Sequence, residues 1–355
     1  MILMNPGPVT LSERVRRSLL QPDLCHRESE YFDLQDEARA RLLAVYGLDP
    51  AQWTVALMTG SGTAAVDSMV ASLPPSGARV LVVENGVYGE RMTQMCAQYR
   101  IGHEALHGQW LQAPDLERIE QRLAGGGFTH VAVVHHETTT GRLNDIGALS
   151  ALCGRHGVQM LLDGVSSFGA EAIGFEDPAL VAVAATANKC LHGVPGVSFV
   201  LARRAALAAA VSRTYYLDLA RLVQAQERRN TPFTPAIHAC YALVEALREF
   251  AQAGGRVARF ERYSQLSRQA LAGLAALGIQ PLLPPAESSV VLRAYQLPQG
   301  LSYPVLHDAL KAAGFAIYAG QGDLSKTLFR ISTMGEMNSA DIERFLACVA
   351  GLLRA

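Results

Sequence analysis

The chain has 355 residues, half of them apolar, and a formal net charge of −1, which suits a large α/β domain with a smaller companion. No Lys/Arg block stands out and no apolar run reaches the length of a membrane span, so neither nucleic acid nor a membrane is an expected partner. The six cysteines, Cys25, Cys96, Cys153, Cys190, Cys240 and Cys348, form no CxxC pair and no regular spacing, which argues against a disulfide framework or a metal site and makes reduced, cytoplasmic thiols the expectation.

From the N-terminus, MILMNPGPVT has no basic leader and turns at Pro6-Gly7-Pro8, unlike a secretory signal. Ser12 is placed to cap a short helix over SERVRRSLL. The next segment, PDLCHRESEYF, is polar and irregular. It is either a surface loop or one that carries Cys25, His26 and Arg27 toward a site. Leu34, Ala38, Leu42 and Val45 fall on one face of an amphipathic helix over residues 33–46.

Residues 54–58 form a strand that runs into Thr59-Gly60-Ser61-Gly62-Thr63 and then a helix, so free backbone N–H groups can hold a phosphate there. The same turn has a rival reading. Gly60-x-Gly62-x-x-Ala65 fits a dinucleotide fingerprint, and strand 79–84 ends on Glu84, where a ribose-binding acid of a nicotinamide-dependent dehydrogenase would sit. Tyr88 follows between Gly86 and Gly89 on a strand-end loop, placed to stack on a planar ring. A helix over 115–123 ends at Gly125-Gly126-Gly127. Strand 129–135 then leads into His136-Glu137-Thr138-Thr139-Thr140-Gly141, whose threonines make poor core and good donors. A helix over 146–156 returns to the sheet.

Residues 159–196 are the centre of the chain. Two apolar runs, 160–162 and 180–185, have the length and composition of buried strands. The first ends on Asp163 and the second is followed by Lys189, and open α/β sheets bind ligands beyond the carboxyl ends of their strands. An acid beside a pyridinium nitrogen and a lysine for an aldehyde are what pyridoxal phosphate (PLP) requires of a protein. A strand-end carboxylate and a solvated lysine are the plain alternative. Strands and helices alternate from residue 54 to about residue 200, which implies a parallel sheet with right-handed crossovers. GSGT, NGVYG, HHETTTG and DGVSS then converge on one sheet edge. Gly193-Val194-Pro195-Gly196 closes the lysine loop before strand 197–201.

Arg228-Arg229-Asn230-Thr231-Pro232-Phe233-Thr234-Pro235 excludes regular structure through its prolines. It is a linker, or an ordered loop that carries Thr231 to a phosphate site, including that of a partner subunit. Helices over 238–253 and 259–277 follow; strands 289–292, 315–319 and 327–332, a helix over 303–313 and a last helix from Ser339 then make, in about the last hundred residues, a compact α+β domain packed against the first. Arg330, between Phe329 and Ile331, is either paired structurally or presented to an anionic substrate whose oxygens match its fork.

NPGPVT, GSGTAAV, NGVYGERM, HHETTTGRLN, LLDGVSSFGA, ANKCLHGVPG, TPFTPAIH and FRISTMGEM, in that order, resemble class V, fold-type I PLP-dependent aminotransferases over nearly the whole chain. The likeness is greatest to the branch that acts on 2-aminoethylphosphonate and pyruvate. The resemblance implies an N-terminal segment 1–20 packing with the small domain, a large PLP-binding domain 21–245 with a mainly parallel, seven-stranded-type sheet between helices, and a small α+β domain 246–355. It implies Lys189 as the cofactor-bearing lysine and Asp163 as the partner of the ring nitrogen. Ser61, Gly62 and Thr63 would hold the cofactor phosphate, helped by Thr231 from the other subunit of a homodimer. Tyr88 would stack on the ring, Thr139 would meet the ring hydroxyl, and Arg330 would bind the substrate acid, with His192 and Asn5 also on the substrate side.

The implied partners are a small-molecule amino donor and a 2-oxo acid acceptor. An alanine/serine–glyoxylate aminotransferase is the alternative within the family. His192 stands where the members most resembled carry Gln, and Ser332-Thr333-Met334 stands where they carry Gly-Asn-Ile. Both changes fall near the expected substrate. A lyase or desulfurase needs a mobile nucleophilic cysteine, whereas Cys190 adjoins Lys189 and is expected to pack, leaving Cys25 as the loop candidate. The dehydrogenase leaves the Asp163–Lys189 pair and the threonine loop without work, and retention of that pair also speaks against a non-catalytic relative.

Overall fold

The computed structural model describes residues 1–354. Its centre is a seven-stranded sheet in the order Trp53–Gly60, Gly196–Arg203, Leu180–Thr186, Gln159–Asp163, His130–Val134, Arg79–Glu84, Gly102–His107. From Leu180–Thr186 to Gly102–His107 all neighbours are parallel, but Gly196–Arg203 runs antiparallel to both strands beside it. The expectation of parallel pairing up to residue 200 is thus corrected at this strand. A parallel return needs a crossover of a dozen or more residues, and the loop bearing Lys189 is too short for one, so the chain folds straight back.

The inner strands are continuous apolar runs because helices cover both faces. On one face Val131, Val133, Leu162, Val183 and Phe199 pack against residues of Ser29–Ala44, Ile146–Arg155 and Ile237–Gln252. On the other, Ala132, Leu161, Ala182 and Val200 meet Gly62–Ser72, Val87–Gln98 and Leu219–Glu227. Leu34, Ala38 and Leu42 are buried as their spacing requires, although their helix begins earlier, at Ser29. The Tyr88 segment is not a loop: a helix starts at Val87 and puts Tyr88 in its first turn. Strand Gly102–His107 was not foreseen, since GHEALH is a half-exposed edge without an apolar or β-branched run.

The smaller C-terminal domain has a three-stranded sheet, ordered Leu292–Gln296, Leu328–Ser332, Tyr318–Ala319. Leu266, Leu310, Phe329, Ile331 and Phe345 form its core. The strand expected at 289–292 forms at Leu292–Gln296 instead. The one expected at 315–319 divides, because Phe315–Ala316 pairs with Ile2–Leu3 while Tyr318–Ala319 pairs with Leu328–Ser332. The N-terminal segment continues along this domain: the Met4 carbonyl accepts from Ser332 N–H at 2.7 Å and the Thr10 carbonyl from Glu336 N–H at 2.8 Å. Among the described residues no helix is long and apolar enough to cross a membrane.

Strand Trp53–Gly60 lies at the sheet edge, where unpaired backbone groups are a liability. The buried amide of Gln226 closes it, accepting from Leu57 N–H at 3.0 Å and donating to the Leu57 carbonyl at 2.7 Å. Gln226→Leu should therefore destabilise the fold by about 2 kcal/mol or more, since two buried backbone groups lose their partner. Urea unfolding checks this, and an unchanged midpoint would show that the clamp contributes nothing.

Candidate active site

The carboxyl ends of the parallel strands meet around one cavity, and strand alternation decides which side chains enter it. Val134 lies opposite Asp163 in the ladder, and successive side chains point to opposite faces. Val134 and Asp163 therefore share a face, and both line the cavity with His136, Thr138, Val165, Ser166, Tyr88 and Lys189. Thr139 does not. Its hydroxyl and its N–H both donate to Glu137 Oε1, at 2.6 and 3.0 Å. The residue presented to the cavity from the threonine run is Thr138, which corrects the expectation that Thr139 would meet a bound ring.

Asp163 is buried at its strand end, with Oδ1 accepting from Val165 N–H at 2.9 Å. Its removal from water raises its pKa to about 6, opposed by the Val165 N–H and by the cations Arg91 and Lys189. Burial likewise lowers the Lys189 amine to about 8, against the opposing influence of Cys190 and Asp163. The amine donates to the Pro6 carbonyl. The N-terminal segment crosses the lysine so closely that a Cβ on Gly7 would lie 2.7–2.9 Å from Lys189 Cδ, Cε and Nζ, and Gly7 has a φ of +115°. Both facts demand glycine. His136 places Nδ1 3.4 Å from the Ser166 carbonyl, while its buried Nε2 has no partner. Burial holds its pKa at about 3, so the ring stays neutral.

Beside the cavity, against its lining residue Val165, Ser61 caps helix Gly62–Ser72 in extended backbone and its hydroxyl makes no capping bond. That hydroxyl and the first helical N–H groups are free to take an anion. Gly62 is required by contact: a Cβ there would lie 2.7 Å from Val165 Cγ1. Arg91 donates to the Thr63 hydroxyl at 3.1 Å and lies 4.8 Å over the Tyr88 ring. Sequence reasoning passed over Arg91, although its spacing of three from Tyr88 put both on one helix face. It also passed over Glu137. Buried among threonines, Glu137 accepts from Tyr88 N–H at 3.3 Å as well as from Thr139, and desolvation raises its pKa to about 7. A charged residue inside a strand end was the available signal.

Arg330 enters from the C-terminal domain. Its Nε donates to the Ala319 carbonyl at 2.8 Å and Nη1 to the Thr138 carbonyl at 2.7 Å. Those bonds fix the guanidinium and leave the Nη2 hydrogens and one on Nη1 for an acid. Three expected residues stand apart. His192 is buried in the joint with the C-terminal domain, its Nε2 lying 2.5 Å from the Tyr263 hydroxyl and accepting from Gly335 N–H at 2.9 Å. That nitrogen is engaged within the joint, and His192 is not among the residues that line the cavity, where a substrate contact was expected. Asn5 donates to the Pro8 carbonyl at 3.0 Å. Thr231 donates to the Phe233 carbonyl at 2.8 Å and lines a separate pocket with Tyr31 and Cys240.

The rival readings lose their residues here. Glu84 accepts from Thr93 and lies 2.5 Å from His107 Nδ1, so its carboxylate is engaged away from the GSGT turn. Cys190 is buried, with a thiol pushed up to about 12 and directed to the Ser166 carbonyl at 3.4 Å, so it packs. What remains is an acid and an amine lining one cavity, with an anion-binding turn packed beside it through Gly62 and Val165. That set fits a planar heteroaromatic ring carrying an aldehyde and a phosphate, and the unpartnered His136 nitrogen fits a polar occupant.

A family model described as aminotransferase class-V matches residues 20–345. The 2-aminoethylphosphonate–pyruvate transaminase of Aeromonas hydrophila is 35% identical over 98% of this chain and 94% of its own. Those of Bacillus cereus and Klebsiella pneumoniae are 33% and 36% identical, over 98% of this chain and 97% and 96% of theirs. Among solved structures, a Thermus thermophilus aspartate aminotransferase of subgroup IV aligns with a TM-score of 0.90 at 28% identity, covering 100% of this chain and 99% of that one. An alanine–glyoxylate aminotransferase from Nostoc sp. reaches 0.92 at 23% identity over 99% and 95%, a likeness of fold alone.

In the cofactor-free protein the amine at Lys189 should titrate far below a solvated lysine. Its rate of acylation, followed by peptide mass spectrometry, should rise with a midpoint near pH 8. A midpoint above about 10, the range of an ordinary lysine, would contradict the burial described here.

Proposed function

The chain belongs to the class-V aminotransferase family, and on that premise we propose that it transfers the amino group of 2-aminoethylphosphonate to pyruvate, giving phosphonoacetaldehyde and alanine. It is a PLP-dependent aminotransferase. The observation that carries the substrate is the near full-length identity of 33–36% to transaminases named for this pair.

PLP, when bound, draws electrons from the carbon that bears the amino group and so acidifies its proton. Lys189 is the residue to carry the cofactor and then to move that proton as a general base and acid, and an amine near pH 8 is suited to both roles. Asp163 holds positive charge at the ring nitrogen, which its place in the cavity lining opposite the lysine's strand end supports. Tyr88 covers the ring. Ser61, Gly62 and Thr63 hold the phosphate, with Arg91 adding charge. Arg330 binds the phosphonate of the donor and the carboxylate of the acceptor through its remaining N–H groups.

Thr231 lies in a pocket apart from this chain's cavity, and its place in the homodimer we propose is at the partner's phosphate site. A division into a large and a small C-terminal domain is supported by the two separate cores and by the pairing of Ile2–Leu3 to the C-terminal domain, with Val15, Leu247 and Phe250 packing in the large-domain core. Six free cysteines are compatible with a cytoplasmic setting.

Lys189→Ala should abolish both turnover and the visible absorbance of bound cofactor. Arg330→Ala should raise the donor KM about tenfold or more, the worth of a charge-assisted pair. A panel of 2-aminoethylphosphonate, alanine and serine against pyruvate and glyoxylate tests the substrate. Turnover of alanine with glyoxylate, and none of 2-aminoethylphosphonate, would replace the proposal with the other branch.

A further inference from the structure

We propose that His192 is a positioning residue for Lys189, fastening the lysine loop to the C-terminal domain so that the amine and Arg330 are aimed by one connected unit. The inference rests on Lys189 being the cofactor-bearing lysine.

His192 has a φ of +64°, a left-handed conformation that a non-glycine residue keeps only when its surroundings hold it. What holds it is one nitrogen. The Gly335 N–H can only donate, so Nε2 is the unprotonated nitrogen of the ring, and the Tyr263 hydroxyl 2.5 Å away donates to the same lone pair. Both donors belong to the C-terminal part of the chain. Tyr263 lies on helix Gly255–Ala276, and Arg259, one turn earlier, donates to the Cys190 carbonyl at 2.7 Å. The helix thus grips the lysine loop on both sides of Leu191. Burial, reinforced by the neighbouring cations Arg259 and Arg262, keeps the imidazole well below its ordinary pKa, so the acceptor persists at working pH.

Gly335 is itself wedged against the N-terminal segment. It has a φ of +92°, and a Cβ would lie 2.8–2.9 Å from Thr10 N and O. The following residue, Glu336, donates its N–H to Thr10. From Thr10 the segment runs back to Pro6, whose carbonyl receives the Lys189 amine. A closed path results: Lys189, His192, Gly335, Thr10, Pro6 and Lys189 again. The Arg330 strand is attached to it through Ser332 N–H and the Met4 carbonyl, 2.7 Å apart. A residue needed only to fill volume could be leucine. The geometry requires an acceptor.

The test compares His192→Leu, His192→Gln and Tyr263→Phe as holoenzymes. Two quantities are read: the pH midpoint of the bound cofactor's visible absorbance, which follows the lysine linkage, and the split between kcat and KM. His192→Leu should displace the midpoint by about half a pH unit or more and lower kcat about tenfold, with donor KM changed less than about threefold. His192→Gln, which keeps an acceptor, should restore both most of the way, and Tyr263→Phe should move both in the leucine direction by less. A leucine variant that melts earlier but keeps midpoint and kcat overturns the proposal, as does a glutamine variant as impaired as leucine. Should the leucine variant not fold, Tyr263→Phe decides, and wild-type values for it overturn the proposal. Lys189→Ala is the separate control: absorbance retained there refutes the lysine assignment and not the role of His192.

Discussion

Two ionisable groups kept from water at the ends of adjacent strands set the terms for the rest of the molecule. Asp163 and Lys189 are each held near the middle of the pH scale, by the same desolvation acting on opposite charges. Neither is neutralised by a tight ion pair with the other. That condition persists only if both faces of the sheet are covered and no water channel opens, which is the work of the two apolar layers on Val131, Val133, Leu161 and Leu162. The core is thus part of the chemistry, since it maintains the low dielectric in which a lysine can exchange protons near neutrality.

Around this pair, polar groups brace one another across loops. Glu137 ties the first turn of helix Val87–Gln98 to the threonine turn, Arg91 ties that helix to the turn after Trp53–Gly60, and Arg330 ties the C-terminal domain to the carbonyl of Thr138. Each brace spans elements far apart in sequence. The cavity wall is therefore a network in which removing one member leaves another buried and unsatisfied.

Much of this was legible in the sequence because it is written in local period and punctuation. Apolar runs ending on Asp163 and preceding Lys189, the GSGT turn and the convergence of strand ends all follow from short-range patterns. What escaped notice depended on contacts that no window of sequence contains. Thr138 and Thr139 are neighbours in a turn, and only the folded chain shows that the first lines the cavity while the second bonds to Glu137. Strand Gly102–His107 exists because Arg79–Glu84 offers it an edge. The direction of Gly196–Arg203 follows from loop length, and His192 was assigned to the substrate because its place in the chain, beside the lysine, does not reveal where its ring turns.

The antiparallel return after Lys189 has a consequence for how such a protein can diversify. The lysine loop is closed at both ends by ladder partners, with Thr186 opposite Ser198. It behaves as the tip of a hairpin, and an inserted residue there would slip the register of a buried strand and turn its side chains over. The loops after Trp53–Gly60 and Arg79–Glu84 open into helices instead, and a change of length there slips no ladder. The N-terminal segment and the last strand of the small sheet are bound to that fixed tip through Pro6, Thr10 and Met4, so a change of length in either would be felt at the lysine.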